Sequence, residues 1–152
     1  MSVLYNLKPV QQAVLGEQVS RATDTLPATT TETLFTVTGK VMLLQIMGEV
    51  TTVIQTQACN TKLSFNPTVG AAADICSNLN ISAKAVGENF GITGTVATAM
   101  VGDSHAYLLA QATPLILPAG VITLTTAATN TGSVKWDLFY IPIDLDATVT
   151  AA

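Results

Sequence analysis

Residues 34–57 read LFTVTGKVMLLQIMGEVTTVIQTQ, and their alternation at a period of two sets the fold class. Thr and Val recur through the stretch, and β-branched side chains suit the pleated, half-buried surface of a strand. Gly39 and Gly48 divide it into TLFTVTG, KVMLLQIMG and EVTTVIQTQ, which predicts successive antiparallel strands joined by tight turns. Because VMLLQIM at 41–47 is apolar on both faces, it is predicted to be a central strand covered on both sides.

Downstream, TKLSFN continues the pattern until Asn66 and Pro67 stop it. Residues 67–80, PTVGAAADICSNLN, lose the alternation and predict an excursion at one end of a sandwich. ISAKAV predicts a short strand, and ENFGITGTVATAMVGDS a long connection with broken strand character. HAYLLAQ, PLILP, GVITLTT and GSVKWDLFYIPI follow, separated by Pro114, by Pro118 with Gly120, and by Asn130, Thr131 and Gly132. In the last of these, Val134, Trp136, Leu138 and Tyr140 share one face while Lys135 and Asp137 share the other, which makes Trp136 a core anchor. Eight or so short strands with turns every 8 to 12 residues predict an all-β domain, a β-sandwich or jelly roll, over residues 29–152.

Upstream of this domain the pattern changes. Leu4, Leu7, Val10, Val14, Leu15 and Val19 have a loose helical spacing that Pro9 and Gly16 interrupt, so residues 1–28 read as an N-terminal arm with one short helix at best. Helices shorter than about 12 to 15 residues are marginal alone in water, so these aliphatic residues need a partner surface.

Composition narrows the function. The chain has 152 residues, 49% hydrophobic but only 11% charged, and its mean hydropathy is +0.47. No apolar run approaches the roughly 18 to 20 residues that span a bilayer as a helix, so no membrane role is expected. A net charge of −4 with six scattered basic residues argues against nucleic acid as a partner. Residues 1–16 lack a cationic region followed by an apolar core and a cleavage site, so export is not expected. Cys59 and Cys76 are therefore read as reduced, buried hydrophobes.

Residues suited to chemistry are scarce. Gly102, Asp103 and Ser104 begin like a serine-hydrolase signature, and His105, the only histidine, follows at once. Neighbours on an extended chain point to opposite faces, whereas a triad converges from separate parts of a fold. FGITGTV lacks the Lys and Ser/Thr of a phosphate-binding loop and reads as a turn or bulge. Asp144 and Asp146 share a face but are two ligands where calcium needs six to eight, so they read as a solvated edge. Glu32, Glu49 and Glu88 are isolated from one another in sequence. The expectation is a non-enzymatic protein with no cofactor and no metal.

The phrases ATTTETLFTVTGKVMLLQIMGEVTTVIQTQ, NTKLSFNPTVG, GITGT and TGSVKWDLFYIPID resemble a group of small virion-associated proteins of tailed phages, over residues 29–152. The resemblance implies a capsid decoration or cement protein, assembled in the host cytoplasm and placed on the capsid surface of the virion. Its expected partners are the major capsid protein and other copies of itself, as a homotrimer. In that setting Leu4, Leu7, Val10, Val14 and Leu15 are candidate contacts to a neighbouring subunit or the shell. The alternative is a virion-associated adhesion or carbohydrate-binding module, although aromatic residues are only 5% of the chain. Light scattering of the isolated protein is expected to give three times the chain mass of 15.8 kDa; a monomer at high micromolar concentration contradicts the trimer.

Overall fold

The computed structural model describes residues 16–103 and 105–152. They form twelve strands: β1 Glu17–Thr25, β2 Thr31–Thr38, β3 Val41–Thr52, β4 Asn60–Pro67, β5 Ala73–Asp74 and β6 Leu79–Asn80, then β7 Asn89–Gly91, β8 Val101–Gly102, β9 Leu115–Leu117, β10 Gly120–Thr126, β11 Ser133–Pro142 and β12 Thr148–Ala151. No helix is present among the described residues.

Two antiparallel sheets pack face to face. The first has the order β1-β11-β3-β7-β8, with β9 also on β3; the second has β12-β2-β10-β4-β5, with β6 also on β4. The long strands alternate between sheets along the chain, so β1, β3 and β11 lie in one and β2, β4 and β10 in the other. Early strands pair with late ones, β1 with β11, β2 with β10 and β3 with β9. An antiparallel ribbon rolled up in this way is a jelly roll.

Several local expectations are corrected. Gly39 carries the chain from one sheet to the other rather than closing a hairpin, because β2 pairs with β10 and β12, and β3 with β11, β7 and β9. Gly48 does not end a strand: β3 runs through it from Val41 to Thr52. Its missing side chain is what permits this, since a Cβ there would lie 2.9 Å from both Trp136 Cζ3 and Val134 Cγ1. Residues 81–86 and 105–111 are loops, not strands, because local alternation supplies no neighbouring edge with which to pair.

Glu17–Thr25, read as part of the arm, is an edge strand whose register puts Glu17 opposite Tyr140 and Val19 opposite Leu138. The Tyr140 hydroxyl donates to Glu17 Oε2 at 2.8 Å, and Arg21 reaches across the sandwich to Glu32 on β2. These long-range contacts override the loose helical spacing of the segment. Leu4, Leu7, Val10, Val14 and Leu15 lie outside the described residues.

The core lies between the sheets. Val134, Trp136, Leu138 and Tyr140 are all buried, Trp136 at 2% exposure, against Leu34, Phe35, Leu63, Ile122 and Leu124 of the second sheet. β3 sends Val41, Leu43, Ile46 and Val50 into the same core, with Leu44 as the extra residue of a bulge opposite Phe139 and Tyr140. Trp136→Ala is expected to lower unfolding free energy by about 3 to 5 kcal/mol in denaturant titration. Gly48→Ala, which adds one carbon against the same ring, is expected to cost about 1 to 3 kcal/mol. A Trp136→Ala protein as stable as wild type contradicts this account of the core.

Candidate functional site

In the GDSH stretch, which invited a catalytic reading, Asp103 and His105 make contacts that hold the loops in place. Asp103 Oδ1 accepts the backbone N–H of Asn89 at 2.8 Å and that of His105 at 3.3 Å, tying the loop to β7. His105 has a left-handed backbone, with φ of 72°, and its Nε2 lies 3.0 Å from the carbonyl oxygen of Val86. A carbonyl only accepts, so this nitrogen is the donor and is not available as a base. Ser104 lies outside the described residues.

Burial alone would raise the Asp103 pKa. The Asn89 and His105 amides, the Asn89 side chain and the charge of His105 outweigh it and hold the carboxyl below its ordinary value. Glu88 follows the same logic: burial pushes it up, but ion pairing with Lys84 at 2.7 Å and the Ala85 amide bring it down. Glu88 therefore braces the 81–88 loop, and Asp103 ties itself and His105 to β7.

The other expected acids are similarly occupied or isolated. Glu32 pairs with Arg21, which also reaches Asp24 at 3.3 Å. Glu49 is exposed on β3, opposite Lys135 and Asn89. Asp144 Oδ2 accepts the Lys40 amide at 2.9 Å, and Asp146 takes a left-handed backbone with φ of 67°. Among the described residues no three His, Cys, Asp or Glu side chains converge as a metal site. Cys59 and Cys76 are buried and unbridged; desolvation raises the Cys76 thiol. Gly94 follows β7 in a turn with φ of 86°, and among the described residues no helix N-terminus faces it.

What the fold does place at one end is a set of exposed aliphatic side chains. The 38–40, 67–70, 118–120 and 143–147 connections meet there, since Gly120 sits opposite both Val37 and Pro67, Thr68 bonds Ala119, and Ile143 and Asp144 both donate to the Lys40 carbonyl. Leu145 is 94% exposed and Val69 88%, with Ile143 also exposed. The turn that displays Leu145 is pinned twice, by Ala147 N–H to Asp144 O at 3.1 Å and by the Asp144 bond to Lys40. Sequence reading passed over these residues; the signal was a leucine between two aspartates in IDLDA and a valine in the turn sequence NPTVG.

Two depressions flank this framework. One of about 710 Å³ on the second sheet is lined by uncharged residues, among them Thr36, Thr38, Asn66 and Thr68. The other, about 370 Å³, lies between Val101–Asp103 and Ala106–Leu109, with Tyr107 70% exposed on its rim. Comparison with protein-family models, curated proteins and solved structures finds no match to this chain.

Carboxylates whose pKa is lowered on folding stabilise the protein above their unfolded pKa, and that contribution is lost as pH falls through the folded value. Asp103→Asn keeps an acceptor but removes the charge, so its melting temperature is expected to fall below wild type at neutral pH. The two should converge only as the pH falls below the ordinary carboxylate range and through the lowered value of folded Asp103, where its carboxyl becomes protonated. Equal pH profiles in a thermal-melt series contradict this role for Asp103.

Proposed function

We propose that this chain is a structural subunit of a tailed-phage particle, a decoration or cement protein on the outside of the head. It binds the major capsid protein, steadies contacts between capsid subunits, and carries out no chemistry of its own. The observation that supports this most is the exposure of Leu145, Val69 and Ile143 at one end of the fold. Side chains this exposed lose contact with water only against another surface, and aliphatic groups held on pinned turns lose little entropy when they dock. The jelly roll is used by viral capsid domains, which fits the reading as analogy. The abundance of Thr and the 11% charge leave a nearly neutral surface suited to packing against protein.

A second reading, a carbohydrate-binding module, has the 370 Å³ depression in its favour, because an exposed Tyr107 on its rim offers a stacking face. Jelly rolls also serve lectins.

Cosedimentation with expanded phage heads separates the two. A saturable, stoichiometric occupancy is expected, with Leu145→Asp plus Val69→Asp weakening it by about ten-fold or more while the melting profile is retained. Failure to bind heads, together with micromolar binding on a glycan array that Tyr107→Ala abolishes, favours the carbohydrate module.

A further inference from the structure

At one end of the second sheet the central strand stops before its neighbours. β10 begins at Gly120, which pairs with Val37 on β2 and Pro67 on β4, while β2 runs on to Thr38 and the chain after β4 to Thr68. The residues just before β10, Pro118 and Ala119, come from β9 in the other sheet, so no strand lies between Thr38 and Thr68. The result is the depression of about 710 Å³, within the roughly 300 to 1,000 Å³ of small-molecule sites. Val121 stands opposite both Thr36 and Asn66, which puts the three in one row on the same face, the outer two about 9 to 10 Å apart.

The walls of this groove are polar and uncharged: Thr36 and Thr38 on one side, Asn66 and Thr68 on the other, all exposed. Elsewhere on the same sheet polar groups satisfy one another, as Thr31 and Thr125 do at 2.9 Å, and as Ser64 and Lys62 do with Asp74 at 2.7 and 2.6 Å. Among the described residues the four wall side chains have no such partner. Each hydroxyl both donates and accepts, and the Asn66 amide offers a carbonyl and an NH2 group. An anion would find no cation lining the groove and a net charge of −4 on the chain, and a metal ion would find no carboxylate. An extended peptide would find no strand edge, because β10 is paired on both sides. A neutral sugar ring fits what remains, its hydroxyls toward the walls and its C–H face on the short side chains of Val121 and Ala119. Threonines on strands are stiff at χ1, so they lose little entropy on binding.

We propose that this groove is a binding site for a neutral glycan, with one sugar ring over Val121 held between the threonines of β2 and the Asn66 amide. The site is separate from the Tyr107 depression, which borders β8 in the first sheet, and it uses none of the same residues. It does not rest on the phage-particle reading.

The full-length protein, screened against an array of neutral oligosaccharides and their sialylated counterparts, is expected to retain neutral members at micromolar to millimolar affinity. Thr38→Val plus Asn66→Ala removes one hydroxyl and the amide from exposed positions, and should weaken that binding about ten-fold while the melting temperature is kept. Tyr107→Ala should leave it unchanged. A measurement on the wild-type chain needs no substitution: in NMR titration with the best-retained neutral glycan, the Asn66 side-chain NH2 signals should shift. Those of Asn89, which donates to the Gly87 carbonyl beside the first sheet, should stay in place. The proposal is overturned if no neutral glycan binds at millimolar concentration, if sialylated glycans bind better than their neutral parents, or if the Asn66 signals do not move. Loss of binding in Tyr107→Ala would move the site to the other depression. A groove variant that loses occupancy of phage heads, in a protein that binds no glycan, would make the groove a protein contact and also overturns it.

Discussion

The Trp136 indole sits directly across from Gly48 in the β3–β11 ladder, and the fold depends on that one contact being possible. Any side chain at position 48 would occupy the space taken by Cζ3 of the ring and by Val134. With glycine there, β3 and β11 run together for ten residues as the centre of the first sheet, flanked by β1 on one side and β7 and β9 on the other. Because β3 comes early in the chain and β11 late, their pairing forces the ribbon to roll. β2 and β4 then meet β10 in the facing sheet, and the core closes between them.

A chain with so few charges has to satisfy its polar groups by placement. Arg21 and Glu32 join the two sheets across one edge of the sandwich, where removing either partner would leave the other poorly solvated. Lys62 and Asp74 join β4 to β5 at 2.6 Å, and the Asp74 carboxyl is held below its ordinary value by the Lys62 and Ser64 hydrogen bonds. Loops are braced the same way by Asp103, Glu88 and Asp144. The acids thus serve architecture, and the surfaces left free for recognition are neutral or aliphatic.

That division explains how the sites read. GDSH drew notice as a motif, but a motif records adjacency along the chain, whereas catalysis needs convergence in space; here the adjacent residues tie a turn to β7. Leu145 and Val69 drew none, being single aliphatic residues 76 positions apart within turn-like sequence. They come to the same end of one sheet because β4 and β12 both belong to it, with β10 and β2 between them, an arrangement with no local signature.

The sequence by itself determined the β class, the inward face of β11 with Trp136, and the absence of long apolar runs. Each follows from side-chain alternation or composition, which are local properties. Tertiary structure alone decided that Gly48 lies within a strand, that Glu17–Thr25 pairs at an edge, and that 81–86 and 105–111 are loops. It also decided that the sandwich is a jelly roll. Strand pairing depends on which distant segment offers an unpaired edge and a complementary core surface, and that choice is made only when the whole chain is folded.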